Sequence, residues 1–211
     1  MDNAIQAVLD VYHGRILDER TRLRENPAIR DSKGKDQLMR AVGLDTGRLL
    51  NLLVKSLEAP TILELGTSFG YSAIWLAEAA RATGGRVITI ELYDYKAAHA
   101  REMAAKAGLD AYIDFRVGDA LELLAHVPQG LDFVLVDHWK DLYEPSLEIL
   151  YPKLNPGAIV VADNMVRPAN EEVRRYGRAV RAKPGITSVL LPVGSGLEIS
   201  RYDPVPAYAE A

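Results

Sequence analysis

Short apolar segments alternate with longer segments of helical periodicity over most of the chain. The apolar segments predict strands at residues 61–65, 86–90, 112–117, 131–136 and 158–162. The periodic segments between them predict helices at residues 72–82, 94–107, 119–125 and 141–150. Strands that are apolar throughout and separated by helices are typical of a parallel sheet covered on both faces. The pattern therefore predicts an α/β fold.

The beginning of the chain departs from this alternation. Residues 2–24 show helical spacing, and Asn26 and Pro27 interrupt it. The polar residues 31–36 predict a loop, and a second helix is predicted at about residues 46–57. This segment indicates a helical extension in front of the α/β part.

The end of the chain also differs. After a predicted helix near residues 170–181, two further strands are predicted at 186–191 and 197–202. The five residues between them, 192–196, include two glycines, which is typical of a hairpin. We therefore expect the last strand to be antiparallel. With 211 residues and no linker, the chain is expected to be one domain, with an extension at 1–58 and a core at 59–211.

The amino-acid composition excludes several classes of function and partner. The formal net charge is −4, which disfavours nucleic acid as a partner because phosphate binding requires surplus Lys and Arg. The chain has no cysteine, which excludes disulfides, thiolate nucleophiles and iron–sulfur clusters. No segment reads as a secretory signal or a membrane helix, so the sequence predicts a cytoplasmic protein without membrane contact.

The first motif that carries chemistry is the turn after the strand at 61–65. Glu64 and Gly66 end this strand, and a helix is predicted just after Gly70. The two glycines lack the Gly-x-Gly-x-x-Gly spacing that cradles a diphosphate. An acid at the strand end favours a cationic or hydroxyl-bearing ligand instead. The alternative is a plain strand-to-helix turn.

A second acid, Glu91, ends the next strand. An acid at this position can accept hydrogen bonds from both hydroxyls of a ribose, although alone it also fits an exposed acid near a helix start. Together, Glu64 and Glu91 favour a nucleoside without a diphosphate, and S-adenosylmethionine is the obvious candidate.

Oxygen-bearing side chains follow two further strands. Asp137 follows the strand at 131–136, and Asp163 and Asn164 follow the strand at 158–162. If these strands are neighbours, the three side chains converge, and two carboxylates with an amide oxygen suit Mg²⁺. Alternatively, Asp137 caps a helix, and Asp163 with Asn164 forms an Asx turn.

These motifs together resemble the catechol O-methyltransferase family of Mg²⁺- and S-adenosylmethionine-dependent small-molecule O-methyltransferases. The segments that carry the resemblance are 62–72, 87–91, 117–118, 137–143 (Asp-His-Trp-Lys-Asp-Leu-Tyr) and 162–164 (Ala-Asp-Asn). It implies a Rossmann-like class I methyltransferase fold with seven strands, of which the last is antiparallel. The resemblance also suggests a homodimer. In bacterial relatives the N-terminal segment forms a lid or a dimer contact.

The resemblance further implies a role for each matching residue. Those assigned to the methionine part of the cofactor are Val42, Glu64, Gly66 and Ser72. Those assigned to its ribose and adenine are Glu91, Gly118, Asp119, Ala120, Leu121, His138 and Trp139. Those assigned to Mg²⁺ are Asp137, which is also assigned to the cofactor, Asp163 and Asn164. Lys140 is assigned as the general base that takes a proton from an aromatic vicinal diol.

Three departures from the family leave the acceptor open. The stretch 186–191 lacks the acid that mammalian members carry near the penultimate strand, and Glu198 comes later. Residues 67–69 and the turn at 119–121 also differ. Alternatives are therefore a methyltransferase for RNA or a non-catechol metabolite, a nicotinamide dehydrogenase, and a cofactor-binding protein without catalysis.

Overall fold

The computed structural model describes residues 1–31 and 36–204, so most of the loop predicted at 31–36 lies outside the described residues. The helices in the described part are α1 (Asn3–Glu25), α2 (Leu44–Lys55), α3 (Tyr71–Thr83), α4 (Asp94–Lys106), α5 (Ala120–Ala125), α6 (Tyr143–Leu150) and α7 (Glu171–Ala182). The strands are β1 (Thr61–Leu65), β2 (Arg86–Glu91), β3 (Ile113–Val117), β4 (Leu131–Val136), β5 (Leu154–Ala162), β6 (Ile186–Leu191) and β7 (Leu197–Tyr202).

These strands form one sheet in the order β3-β2-β1-β4-β5-β7-β6. The neighbours from β3 to β5 pair in parallel, whereas β7 is antiparallel to both β5 and β6. The predicted fold class is therefore confirmed, including the antiparallel last strand. The strand order reverses between β1 and β4, and open α/β sheets bind ligands at such a switch point.

Both faces of the sheet are covered, because successive strand residues point to opposite sides. On one face, Ile62 and Phe133 pack with α1, α2 and α3. On the other face, Leu63 and Val134 pack with α6 and α7. This burial explains why the central strands are mostly apolar on both faces, with Glu64 and Thr89 among the exceptions.

Several boundaries differ from the prediction, most of them by one or two residues. β5 begins at Leu154, which pairs with Leu131 ahead of a register shift, so the strand includes the Pro-Gly pair that was predicted to precede it. Asp119 is the N-cap of α5, since its side chain accepts hydrogen bonds from the first turn. The helix predicted from 141 begins at Tyr143, after a 3₁₀ turn at Lys140–Leu142.

The N-terminal helix packs against the turn between β1 and α3. The Tyr12 hydroxyl donates to the Phe69 carbonyl at 2.6 Å, and the Arg15 guanidinium lies 3.6 Å from the centre of the Phe69 ring. These contacts place α1 beside the carboxyl end of β1. In the part of the chain that the structure describes, no helix combines the length and apolarity needed to cross a membrane.

Candidate active site

The carboxyl ends of the central strands lie level with each other. Leu65 pairs with Val136, and Val136 pairs with Ala162. The residue after each strand then bonds to its neighbour: the amide of Asp137 donates to the Leu65 carbonyl at 2.9 Å, and the amide of Asp163 donates to the Val136 carbonyl at 3.1 Å. The predicted convergence of Asp137 and Asp163 therefore follows directly from the register.

Gly66 follows β1 directly and lies against the backbone of Asp137, which follows β4. Its φ is +101°, a conformation that favours glycine, and a Cβ here would overlap the backbone carbonyl of Asp137. Any side chain at this position would push the two strand ends apart. The glycine is thus required for the spacing of the site.

Glu64 is fully buried at the end of β1. One carboxyl oxygen accepts a hydrogen bond from the Thr89 hydroxyl, while Oε1 has no partner within the described residues. Burial raises the pKa of Glu64 to about 7, against the opposing effect of hydrogen bonds from Ser72 and Thr89. A cation bound against Oε1 would stabilise the ionised form. This environment agrees with the predicted preference for a cationic ligand group.

Glu91 is held by backbone amides at the end of β2. Its two carboxyl oxygens accept from the amides of Ser68 at 2.7 Å and Tyr93 at 3.0 Å. Gly118 lies directly beside it, because the amide of Gly118 donates to the Glu91 carbonyl at 2.9 Å. Ala120 begins the short helix α5 two residues later. The ribose and adenine assignments of these residues stay predictions.

Two carboxylates face each other across the ends of β4 and β5. Burial, followed by the charge of Asp137, raises the pKa of Asp163 to about 8. Burial also raises the pKa of Asp137, although Lys140 opposes the shift. The Oδ1 atom of Asp163 is buried without a partner within residues 1–31 and 36–204. Asn164 follows with a φ of +61°, in the left-handed region.

This pair fits a divalent cation. Over the described ranges, no group of three or more His, Cys, Asp or Glu side chains could hold a metal ion. The ligands that the sequence predicts are the two aspartates and the Asn164 amide. A cation bound by Asp137 and Asp163 would offset the repulsion between the two carboxyl groups. It would also give a partner to the Oδ1 atom of Asp163, which has none among the described residues. Two carboxylates and one amide oxygen are hard ligands of the type that Mg²⁺ takes, with water in its remaining positions.

The Lys140 amine lies beside the acid pair. Its Nζ donates to Asp137 Oδ1 at 3.2 Å, to the His138 carbonyl at 3.0 Å and to the Tyr143 hydroxyl at 2.6 Å. The three-residue spacing from Asp137 to Lys140 corresponds to about one helical turn, but the local structure is different. Trp139 is extended, and Lys140 starts a 3₁₀ turn. The contact forms because the chain folds back immediately after β4.

His138 and Trp139 have different environments. The His138 ring stacks on Tyr143 with centroids 5.2 Å apart, and its Nε2 is 2.8 Å from the Ser146 hydroxyl. Burial, assisted by the charge of Lys140, lowers the pKa of His138 to about 3, so the ring is neutral. Trp139 is 46% exposed and lies at the mouth of the site, where its ring faces Arg40.

Val42 and Ser72 complete the predicted set. Ser72 is buried in the first turn of α3, where its hydroxyl opposes the raised pKa of Glu64. Val42 is buried just before α2, where its carbonyl faces the turn that contains Gly194. The structure thus brings Ser72 to Glu64, and Val42 to the hairpin between β6 and β7.

Comparison with known proteins identifies the family. A family model described as "Methyltransferase domain" matches residues 63–165. A catechol O-methyltransferase of Niastella koreensis is 31% identical over 178 residues, which cover 77% of this chain and 79% of the relative. The chain belongs to the catechol O-methyltransferase-like family of class I O-methyltransferases.

Two other proteins extend the comparison of this O-methyltransferase. A caffeoyl-CoA O-methyltransferase of Petroselinum crispum is 30% identical over 180 residues, which cover 74% of each chain. The crystal structure of an O-methyltransferase from Bacillus cereus in complex with SAH is 27% identical, with a TM-score of 0.74, over 96% of this chain and 92% of that one. Relatives of the same fold therefore include enzymes named for different acceptors.

Two polar residues of this O-methyltransferase site were not predicted. Thr89 is fully buried in β2 and bonds to both Glu64 and Thr67. Tyr143 bonds to Lys140 from the first residue of α6. In the sequence, Thr89 could have been noticed as a polar residue within a largely apolar strand. Tyr143 could have been noticed because it lies three residues after Lys140.

Proposed function

We propose that this O-methyltransferase transfers a methyl group from S-adenosylmethionine to one hydroxyl of a small aromatic vicinal diol, with Mg²⁺ at the acid pair and Lys140 as the general base. The observation that carries the proposal is the amine of Lys140 beside Asp137, at the same edge of the sheet as Asp163. An amine and two carboxylates at a switch point suit proton removal from a diol.

The cofactor would lie along the strand ends from β3 through β2 and β1 to β4. S-adenosylmethionine supplies an electrophilic methyl group on a positively charged sulfur. Glu64, with its orphaned Oε1, would bind the cationic part of the cofactor, beside Ser72, Gly66 and Val42. The cofactor contacts that we propose for the ribose and adenine are with Glu91, Gly118, Ala120, Asp137, His138 and Trp139. The neutral ring of His138 supports a role beside an uncharged base.

The metal ligands would be Asp137, Asp163 and Asn164. Bound Mg²⁺ lowers the pKa of a coordinated hydroxyl and fixes the positions of two neighbouring oxygens. A free phenolic hydroxyl has a pKa of about 10, so it is mostly protonated at neutral pH. Two adjacent hydroxyls therefore suit this site better than one, and this supports a vicinal diol as the acceptor.

In its neutral form, with one of its three N–H donors lost, Lys140 would accept the proton that the acceptor hydroxyl loses, while the hydroxyl oxygen gains the methyl group and the sulfonium leaves as a neutral thioether. Hydrogen bonds to Asp137, the His138 carbonyl and Tyr143 hold the Lys140 amine in one position, although the lysine side chain is long and flexible. We also propose that residues 1–58 form a lid within the same domain as the core at 59–211. The contact of Tyr12 with Phe69 supports this, since it attaches α1 to the β1–α3 turn.

The experiment is methyl transfer with matched acceptors. The purified protein is incubated with S-adenosylmethionine, Mg²⁺ and either catechol or phenol, and the products are measured by mass spectrometry. We expect a monomethylated product from catechol and none from phenol, because phenol lacks the second oxygen. Equal methylation of phenol would rule out the vicinal-diol requirement, and the absence of product from any aromatic diol would overturn the proposal.

A further inference from the structure

A buried ion pair lies close to the turn that follows Glu91. The Nζ atom of Lys96, in α4, donates to the Oδ2 atom of Asp36 at 3.0 Å and to the Leu38 carbonyl at 3.2 Å. Burial acts to raise the pKa of Asp36, but the hydrogen bond and charge of Lys96, with a contribution from Arg40, lower it. Lys96 is only 3% exposed, so it needs this carboxylate as its counter-ion.

The ion pair attaches the segment 36–43, which leads into α2, to α4. The Asp36 carbonyl also accepts a hydrogen bond from the Tyr95 hydroxyl at 2.6 Å, which adds a second contact with the same helix. Three residues further along, the amide of Met39 donates to Glu19 of α1 at 2.7 Å. The first half of the segment is therefore held between two helices.

Two hydrogen bonds connect the segment 36–43 to Glu91. The Ser68 hydroxyl donates to the Met39 carbonyl at 2.8 Å, and the Ser68 amide donates to a carboxyl oxygen of Glu91 at 2.7 Å. Ser68 has a φ of +48° and Arg40, directly after Met39, has a φ of +51°, which are unfavourable for residues with a Cβ. Such backbone positions persist only where surrounding contacts hold them. The placement of the Ser68 amide therefore depends on the segment.

Lys96 also contacts two aromatic rings next to the groups that hold Glu91. Its Nζ lies 5.3 Å from the ring centre of Phe69 and 5.6 Å from that of Tyr93, within the range of cation–π contacts. Phe69 directly follows Ser68, and the Tyr93 amide donates to the other carboxyl oxygen of Glu91 at 3.0 Å. The lysine thus contacts one of the two amide donors and the neighbour of the other.

We propose that Lys96 is a positioning residue for the cofactor: paired with Asp36, it fixes the donors that orient Glu91 toward both hydroxyls of the ribose. Each carboxyl oxygen has two acceptor sites, so one site on each remains for a hydroxyl after the amides of Ser68 and Tyr93 are bound. This inference rests on the proposed contact of Glu91 with the ribose, and it adds a residue outside the proposed set of cofactor contacts.

The test measures the binding of S-adenosylhomocysteine and of its 2′-deoxy analogue by calorimetry, so it needs no methyl acceptor. Lys96→Met keeps most of the side chain and removes the amine, whereas Asp36→Asn breaks the pair from the other side. The matched control is Lys106→Met, because Lys106 is an exposed lysine of the same helix that pairs with Glu102. Circular dichroism and the melting temperature are recorded for each variant, and Lys96→Met decides alone if Asp36→Asn does not fold.

We expect the wild type to bind the 2′-deoxy analogue roughly tenfold more weakly than S-adenosylhomocysteine, because a hydrogen bond to a carboxylate is lost. In Lys96→Met and Asp36→Asn this ratio should fall to about threefold or less, while the Kd for S-adenosylhomocysteine rises roughly tenfold. Lys106→Met should keep the wild-type Kd and ratio. The ratio reports on positioning, since a general loss of stability lowers the melting temperature without changing which sugar is preferred.

The inference fails alone if Lys96→Met has a lower melting temperature but keeps the wild-type ratio, since Lys96 would then only stabilise the fold. It also fails if Lys96→Met loses the ratio while a folded Asp36→Asn keeps it, because the ion pair would not be the cause. Equal affinity of the wild type for both ligands would remove Glu91 from the ribose, and the inference with it. If the wild type bound neither ligand, the proposed function itself would be overturned.

Discussion

The hydroxyl of Tyr143 lies 2.6 Å from the Nζ of Lys140 and 3.1 Å from the backbone carbonyl of Asp163. Because a tyrosine has a single hydroxyl proton, which it donates to Asp163, it acts as an acceptor toward Lys140. One buried side chain therefore connects the proposed general base to the backbone of a proposed metal ligand.

Replacing this hydroxyl is expected to affect turnover rather than cofactor binding. Tyr143→Phe should lower kcat by roughly tenfold, since it removes one of the three groups that orient the Lys140 amine. The Kd for S-adenosylmethionine, measured by calorimetry, should stay the same. Tyr176→Phe is the matched control, because Tyr176 is equally buried and its hydroxyl has no partner in the described ranges. An equal kcat for both variants would contradict the role of Tyr143.

Removal of the base should have a larger effect. Lys140→Ala is expected to lower kcat by about 10² to 10⁴, the usual contribution of general acid–base catalysis, with cofactor binding nearly intact. The control is Lys106→Ala, because Lys106 is exposed and pairs only with Glu102 among the ion pairs described. Steady-state kinetics and cofactor titration separate the two effects, and unchanged turnover in Lys140→Ala would remove Lys140 from the mechanism.

The acid pair makes a prediction about metal binding and stability. Mg²⁺ should raise the melting temperature of the wild-type protein, because binding to the folded state alone stabilises it. Asp163→Asn should lose this response, and EDTA should lower the melting temperature of the wild type only to its metal-free value. Differential scanning fluorimetry provides the measurement. Asp114→Asn, which changes an exposed acid on β3, should respond to Mg²⁺ like the wild type.

Glu64 should make the ligand-free protein less stable as the pH rises. Between the unfolded pKa of 4.5 and the folded value of about 7, the folded state keeps a proton that the unfolded state has lost. Each pH unit across this window therefore lowers the free energy of unfolding by about 1 kcal/mol.

Glu64→Gln removes this dependence. The variant should be more stable than the wild type at pH 8, and the difference should shrink toward pH 4.5. Its affinity for S-adenosylmethionine should decrease, because the amide cannot balance the charge of a cation. Urea unfolding at several pH values and calorimetric titration test both effects. A constant stability difference across the pH range would show that Glu64 is ionised in the free protein.

Much of the fold could be predicted because the central strands are buried on both faces and are therefore mostly apolar. Strand-end residues such as Asp137 and Asp163 could be located for the same reason, since the carboxyl ends of parallel strands share one edge. The start of β5 could not be predicted, because proline and glycine, here Pro156 and Gly157, usually end a strand. In this protein a register shift between β4 and β5 accommodates both residues.

Side-chain contacts within the site were harder to predict. The three-residue spacing of Asp137 and Lys140 is that of one helical turn, yet their contact arises from a 3₁₀ turn after an extended residue. The bond between Tyr143 and Lys140 depends on where α6 begins, which periodicity does not define to within one residue. The position of Arg40 depends on a left-handed backbone conformation fixed by contacts to α1 and Ser68, which are distant in sequence.

The central claim is that methyl transfer to an aromatic diol depends on a divalent cation at Asp137 and Asp163. The most direct measurement is the rate of catechol methylation after EDTA treatment, followed by titration with Mg²⁺, for the wild type and Asp163→Asn. The account predicts that EDTA abolishes the wild-type activity, that Mg²⁺ restores it, and that Asp163→Asn requires a much higher Mg²⁺ concentration. A wild-type rate that is the same in EDTA and in Mg²⁺ would contradict it.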